Sequence, residues 1–280
     1  MALDRATIIT LGSALPPAVG IFSRLEGLLR KPDTDLDEIV GLVRVDPALT
    51  FQIIRLGNSA FYGFKSRCDS LEEAVARIGF GDIHNLVGLV AARHVCQKDL
   101  HAYHVTAQYF WENSVATGQV MAAFAAHNGT DARHAYTTGL MRNLGRIVLN
   151  DHGGAVGYPG EAAAPNLAVW EKAKYKITAA EVGAILLEHW RFSAETVNAV
   201  RGHLDPATAA EPARAAAMLH VAGAVVDSWR LALPGEHGIW QSDALLLAMA
   251  GLTEETFAHA GTAAREAFNR AAGIKWANAA

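Results

Sequence analysis

Cysteine, charge of one sign and long apolar runs are all scarce in this sequence of 280 residues. Its two cysteines, Cys68 and Cys96, cannot build a disulfide framework and are typical of a reducing compartment. The 28 acidic and 24 basic residues give a net charge of -4, which argues against general electrostatic binding of nucleic acid. The longest uncharged apolar stretches, such as 244–252, are far shorter than the ~18 residues that span a bilayer. The first residues also lack the pattern of a signal peptide. We therefore expect a cytoplasmic protein with neither a membrane nor a nucleic acid as its partner.

Motifs that bind cofactors or carry catalysis are missing as well. The sequence contains no G-x-x-x-x-G-K-[S/T] phosphate loop, no H-E-x-x-H, no C-x-x-C and no G-x-S-x-G. Twelve histidines remain as the pool of possible metal ligands or bases. His101 and His104 are spaced for a metal pair, but no third ligand follows at helical spacing, so a solvated stretch between helices is the favoured interpretation. We expect no cofactor.

Helical periodicity dominates what is present. Apolar residues at i, i+3, i+4 and i+7 form one stripe, which consists of Leu36, Ile39, Val40 and Val43. Sustained alternation typical of strands is not found, and the glycine-rich segments 150–165 and 231–241 interrupt the pattern. From residue 82 onward, helices are predicted over about 82–97, 105–127, 131–149, 166–175, 178–190, 193–203, 210–230, 242–250 and 253–272. The fold class is therefore all-α, a multi-helix bundle of roughly a dozen helices.

Three segments near the N-terminus resemble a known family. They are Asp46-Pro47-Ala48-Leu49-Thr50, the stretch from Asn58 to Gly63 (NSAFYG), and the stretch from Ser70 to Gly79 (SLEEAVARIG). Their order and spacing resemble the first half of an HDOD domain, the HD-related output domain of bacterial signalling proteins. The resemblance continues to about residue 225. It implies an N-terminal helical subdomain at 1–104 packed with a degenerate HD-like helical subdomain at 105–230. Residues 231–280 lie outside the resemblance, and we expect them to form a C-terminal helical extension.

The second half of such a domain is similar to the HD phosphohydrolases, which hold divalent metals with histidine and aspartate. The resemblance assigns the metal-ligand positions to Asn113, Arg142, Asn143, Ala179, His203 and, near the end, Gly223. Arginine brings a positive charge and no lone pair, and alanine and glycine offer no ligand at all. One histidine does not hold a catalytic dication, and without metal no water is activated at neutral pH. We expect no metal and no phosphohydrolase activity.

The remaining motif residues have structural interpretations. Asp46 with Pro47 predicts a helix start, Gly79 a helix end, and Asn58 with Ser59 a helix end followed by packing of Tyr62. These roles are favoured over ligand binding. Arg142 has two open interpretations, a salt bridge inside the bundle or a clamp for a phosphate or carboxylate group.

The resemblance implies a non-enzymatic, stand-alone module of bacterial signal transduction that binds other signalling proteins, in second-messenger, stress or motility regulation. The alternative is a metal-free sensor that binds a nucleotide or another anionic small molecule in the vestigial pocket of Asn113, Arg142, Asn143 and His203. A residual enzyme using Asp151, His152 and His203 is the third hypothesis.

Overall fold

The computed structural model describes residues 3–16, 18–58, 67–154, 157–164, 166–209 and 213–273. Within these ranges the chain is all-α, as predicted, and its one β feature is the isolated bridge between Leu100 and Val105. Two short 3-10 turns cover His101–Tyr103 and Pro206–Thr208. The helices are α1 (Arg5–Gly12), α2 (Ala18–Leu29), α3 (Leu36–Arg44), α4 (Pro47–Gly57), α5 (Leu71–Ile78), α6 (Phe80–Val95), α7 (Ala107–Asn128), α8 (Ala132–Met141), α9 (Leu144–His152), α10 (Leu167–Tyr175), α11 (Ala179–His189), α12 (Ala194–Gly202), α13 (Arg214–Ser228), α14 (Ala244–Ala250) and α15 (Glu254–Ala272).

The chain divides into two compact units. The larger unit comprises Met1–Leu15 and Cys96–Phe268, and the smaller unit comprises Pro16–Val95 and Asn269–Ala280. The boundaries expected after residues 104 and 230 stay predictions. No helix among the described residues has the length and apolar character needed to cross a membrane.

Side-chain caps and an apolar stripe explain the helices of the smaller unit. Asp35 accepts a hydrogen bond from the Glu38 backbone N–H at 2.8 Å, and Ser70 accepts one from Glu73 at 3.1 Å. Such caps satisfy backbone donors that have no partner within the helix. The predicted stripe on α3 is also present, because Ile39, Val40 and Val43 are all buried.

Two glycines bring the helices of the larger unit together. A Cβ on Gly139 in α8 would lie 2.6 Å from the Thr117 carbonyl oxygen of α7, so only glycine permits this approach of the two backbones. A Cβ on Gly145 in α9 would collide with the Ala179 carbonyl oxygen at the start of α11. Arg142 and Asn143 lie between these two glycines. The backbone is therefore packed closely against α7 on one side of the pair and against the start of α11 on the other.

Two sequence predictions need correction. The helix predicted over 131–149 is wrong, because α8 ends at Met141, Arg142 caps it, and Asn143 (φ -94°, ψ 4°) leaves helical geometry before α9 begins. The break is where the side chains of Arg142 and Asn143 bond to other elements, which overrides local helix propensity. The loop predicted from 150 is wrong at its start, since 150–152 belong to α9. Helix α13 covers Arg214–Ser228, and residues 210–212 of the helix predicted over 210–230 lie outside the described residues.

Candidate functional site: a buried ion-pair centre

Three of the six inferred metal-ligand positions meet through direct hydrogen bonds. Asn113 comes from α7, and Arg142 and Asn143 from the junction of α8 and α9. The Asn113 Oδ1 atom accepts hydrogen bonds from Arg142 Nη2 at 3.0 Å and from Asn143 Nδ2 at 2.6 Å. All three side chains are buried. The structure therefore brings these three residues together in one hydrogen-bonded cluster.

A carboxylate from the segment after α13 fills the middle of this cluster. Glu236 is fully buried, and it accepts hydrogen bonds from Arg142 Nη1 at 3.2 Å and from Arg142 Nη2 at 3.1 Å. Arg146, in the first turn of α9, donates to Glu236 and to Asn143. Guanidinium groups match carboxylates in this two-pronged geometry. These side chains form part of a buried ion-pair network, which we call the arginine centre: Asn113, Arg142, Asn143, Arg146, Glu171 and Glu236.

The second carboxylate of the arginine centre links it to the position of Ala179. Glu171 of α10 lies 3.6 Å from Arg146 Nε and accepts a hydrogen bond from the Ala179 backbone N–H at 2.7 Å. Ala179 therefore touches the network through its main chain alone. Two arginines and two glutamates balance in charge, which is the condition for burying ionised groups in a low-dielectric interior.

The indole ring of Trp240 lies between the arginine centre and the last two inferred metal-ligand positions, His203 and Gly223. Trp240 stacks on His203 with ring centroids 5.8 Å apart, and Arg142 Cζ lies 5.0 Å from the centroid of the Trp240 ring. A Cβ on Gly223 would collide with the same indole, so that glycine makes room for Trp240. His220 also packs against the indole, at 5.3 Å, and accepts a hydrogen bond from the Gln241 backbone N–H at 3.1 Å. His203 thus borders the centre across an aromatic ring.

Burial and the two arginines set the ionisation states. Burial disfavours the charge on Glu236, but Arg142 and Arg146 outweigh this effect and lower its pKa to about 2. Burial and the nearby Arg142 charge lower the pKa of His203 to about 3. His203 is therefore neutral at pH 7, and its Nδ1 lies 2.7 Å from the Val200 carbonyl oxygen, to which it donates.

The residues of the arginine centre do not fit the metal site of an HD phosphohydrolase. The guanidinium of Arg142 has no lone pair for a cation and already binds a carboxylate. Among the residues that the structure describes, no group of three or more His, Cys, Asp or Glu side chains is arranged to hold a metal ion. The pair His101 and His104 is no exception, since the ring Nε2 of His104 lies 3.0 Å from the Tyr158 carbonyl oxygen.

Comparison with models of known protein families shows which family the chain belongs to. The model of the HDOD domain family matches residues 15–206, which is more than half of the chain. The chain belongs to the HDOD domain family. Glu236 and Trp240 both lie beyond the matched span, so the centre of this HDOD protein is closed by residues outside the family pattern.

Individual relatives are more distant. An uncharacterized protein of Treponema pallidum (strain Nichols) is 29% identical over 190 residues, which are 64% of this chain and 35% of that protein. This HDOD chain therefore spans about a third of the length of the curated relative it matches.

Solved structures share the fold. A candidate signal transduction protein from Marinobacter aquaeolei VT8 is 22% identical with a TM-score of 0.68, over 92% of this chain and 60% of that one. A candidate phosphohydrolase from Shewanella amazonensis SB2B is 23% identical with a TM-score of 0.67, over 92% of each chain. An HDOD domain protein of unknown function from Geobacter sulfurreducens is 20% identical with a TM-score of 0.64, over 94% of this chain and 99% of that one. At these identities the similarity establishes the fold alone.

The family-motif residues lie in the smaller unit and support local structure. Asp46 accepts a hydrogen bond from the Leu49 backbone N–H at 3.0 Å, and Pro47 is the first residue of α4. Gly79 ends α5 at φ 81°, a conformation that favours glycine. Asn58 exchanges two hydrogen bonds with the backbone of Cys68, at 2.8 and 2.7 Å. Ser59 and Tyr62 lie outside the described residues.

Sequence reasoning missed four members or neighbours of the arginine centre: Arg146, Glu171, Glu236 and Trp240. One available signal was the need of a buried Arg142 for a carboxylate, together with a second arginine four residues later in the sequence. No local pattern indicates which of the 28 acidic residues supplies that carboxylate.

Proposed function

We propose that this HDOD protein is a non-catalytic signal-transduction module that works by binding other proteins in the cytoplasm of a bacterium. One observation supports the proposal: Arg142, at a position that the family resemblance assigns to a metal ligand, forms a buried ion pair with Glu236. The Marinobacter neighbour bears the description of a candidate signal transduction protein, which agrees with this role. The Shewanella neighbour bears the description of a candidate phosphohydrolase, so the absence of catalysis needs a direct test.

Metal content and turnover test the non-catalytic part. We expect the protein, purified after growth with added manganese, to contain no stoichiometric divalent metal by elemental analysis. We also expect no hydrolysis of a generic phosphodiester or phosphomonoester with Mn²⁺ or Mg²⁺ present. One or two tightly bound metal ions per chain, or metal-dependent turnover, would overturn the proposal.

Exposed apolar side chains in the smaller unit offer a surface for the protein-binding part. Phe51 of α4 is 62% exposed and Val45, which caps α3, is 69% exposed. Val45 also lines a groove of about 580 Å³ between α2 and α3, together with Leu28 and Leu42 and the cations Arg24 and Lys31. Large exposed apolar residues beside a groove are common at protein interfaces.

A matched pair of variants tests this surface. Leu245 of α14 is also apolar and 70% exposed, but it belongs to the larger unit, so Leu245→Ser is the control for Phe51→Ser. We expect tagged wild-type protein and Leu245→Ser to enrich the same signalling proteins from host lysate, and Phe51→Ser to lose them. Equal enrichment by all three proteins would assign binding to another surface, and no enrichment by any of them would contradict the protein-binding role.

A further inference from the structure

The loop that carries Glu236 into the arginine centre is short and bounded by two glycines. Gly235 (φ 79°) and Gly238 (φ 72°) both adopt left-handed backbone conformations. Between them, Glu236 points inward and is fully buried, whereas the side chain of His237 is exposed. Leu233 and Trp240 are buried on either side and anchor the two ends. Residues 235–238, which we call the glutamate loop, thus insert one charged side chain from the surface into the core.

Within the arginine centre, Glu236 has the contacts expected of a bound anion. Both of its oxygens face Arg142, and Arg146 donates to it as well. The Arg142 Nε atom is buried and has no hydrogen-bond partner in the described structure, so the guanidinium has donor capacity beyond what Glu236 uses. Asn113 holds Arg142 from the opposite side by accepting from Nη2. Asn113, Arg142 and Arg146, which we call the cradle, therefore surround Glu236 without belonging to the glutamate loop.

Charge balance defines what this cradle accepts. With Glu236 and Glu171 in place, the two arginines are neutralised and no net positive charge remains for a further anion. An external oxyanion that replaces Glu236 keeps the balance if it carries a single negative charge. A carboxylate or a phosphodiester group meets this condition, and both present two oxygens to a guanidinium. A second anion beside Glu236 would leave excess buried negative charge, which is strongly unfavourable.

The outer contacts of the glutamate loop are few and partly exposed. His237 pairs with Asp227 at 2.8 Å, and the Gly238 backbone N–H donates to the same carboxylate at 3.1 Å. Gly235 is buried: its N–H donates to the exposed Glu161 at 2.9 Å, and its carbonyl oxygen accepts from the Leu167 N–H at 3.2 Å. Exposed contacts such as that of His237 contribute little stability, so Glu236 is the side chain that attaches residues 236–238 to the core.

We propose that Arg142 and Arg146 form an anion-binding site that Glu236 occupies in cis, and that a ligand bearing one singly charged oxyanion exchanges with Glu236 and releases the glutamate loop. The proposal rests on the metal-free centre of the proposed function. Release of residues 235–238 would change the surface of the protein when the ligand binds. An anionic metabolite would in this way alter the contacts of a non-catalytic module with its partners.

Removal of the internal carboxylate tests the site itself. Glu236→Ala leaves the cradle open, whereas Glu236→Gln removes the charge but keeps the volume and serves as the matched control. We expect acetate, compared with chloride at equal ionic strength, to raise the melting temperature of Glu236→Ala by about 3 °C at roughly ten times its Kd. Glu236→Gln should show no such difference. Dimethyl phosphate in place of acetate distinguishes a phosphodiester preference from a carboxylate preference. A folded Glu236→Ala protein that responds to neither oxyanion would contradict the proposal.

Hydrogen exchange in the wild-type chain tests the release and does not depend on the folding of a variant. We expect acetate or dimethyl phosphate to speed amide exchange several-fold in peptides that cover 235–239, with no change in α7. Unchanged or slower exchange in the loop at the highest oxyanion concentration would refute the exchange with Glu236. The two claims fail separately: metal bound to the wild-type chain refutes the non-catalytic function, whereas a cradle that ignores oxyanions refutes only the anion site.

Discussion

The family-motif region of the smaller unit and the arginine centre of the larger unit stabilise the chain in different ways. In the motif region, Asp46 and Asn58 bond to backbone groups three to ten residues away in sequence. In the arginine centre, Arg142 bonds to Asn113 and Glu236, which are 29 and 94 residues away. The first region shows that a family motif can serve local backbone geometry. The second shows that buried charged side chains far apart in sequence can join different helices by long-range electrostatic contacts.

Neutralising Glu236 should have the largest effect on stability. Glu236→Gln leaves Arg142 and Arg146 with only Glu171 to balance them, and an uncompensated buried charge costs about 3–5 kcal/mol. The free energy of unfolding from denaturant titration measures this loss. Glu161→Gln, which alters an exposed carboxylate that contacts the same loop, is the control and should cost less than about 1 kcal/mol. If both variants lost the same free energy of unfolding, the buried carboxylate of Glu236 would matter no more for stability than the exposed one of Glu161, which would contradict this prediction.

Acidification should weaken the arginine centre through His203. Its folded pKa of about 3 lies below the unfolded value near 6.5, so the unfolded chain binds a proton first as the pH falls. The stabilisation is present above pH 6.5 and is lost progressively down to pH 3; between pH 7 and pH 5 the loss is roughly 2 kcal/mol. Denaturant titrations at the two pH values measure it. His203→Gln does not titrate and should show a correspondingly smaller pH dependence; an unchanged slope would assign the effect to other groups.

Asn58 should give the largest single effect within the motif region. Its side chain accepts from the Cys68 N–H and donates to the carbonyl oxygens of Cys68 and Ile54. Asn58→Ala leaves these backbone groups without their partner, at a cost of about 1–3 kcal/mol in the free energy of unfolding. Asn58→Asp keeps the acceptor and loses the donors, so its loss should be intermediate if the hydrogen bonds, rather than the side-chain volume, are responsible.

Asp46→Ala should have a smaller effect, because one helix cap is worth about 1 kcal/mol. Asp46→Asn retains a capping oxygen, so its free energy of unfolding should fall by only a few tenths of about 1 kcal/mol. Thermal melts of the two variants measured together provide the comparison. A loss from Asp46→Ala as large as that from Glu236→Gln would show that the motif region does more than cap a helix.

Phe51→Ser should change stability least, by within about 0.5 kcal/mol, because the side chain is 62% exposed. Any loss of partner binding in this variant would then come from the surface and not from unfolding. A larger loss of stability would mean that Phe51 packs in the folded chain.

Locally encoded features of the fold followed from the sequence. The apolar stripe of α3, the helix start at Asp46 and Pro47 and the helix end at Gly79 depend on residues within one or two helical turns, and the structure has them where they were expected. The positions of Asn113, Arg142 and Asn143 were implied by the resemblance to the HD pattern and not by any physical property of the three residues alone. The structure joins these residues by hydrogen bonds.

The break between α8 and α9 and the carboxylate that neutralises Arg142 did not follow from the sequence. Both depend on tertiary contacts: Arg142 and Asn143 leave the helix to bond across the bundle, and Glu236 reaches them from a segment without regular structure. That segment lies beyond the span that matches the family, so the family pattern carries no information about it.

A double-mutant cycle on Arg142 and Glu236 tests the central claim most directly. Arg142→Met or Glu236→Gln alone leaves one unbalanced buried charge, whereas the double variant leaves Arg146 paired with Glu171 and restores neutrality. The account predicts that the double variant loses about 2 kcal/mol less unfolding free energy than the sum of the two single variants. Additive losses, within about 0.5 kcal/mol, would contradict an ion pair at the centre of this HDOD domain.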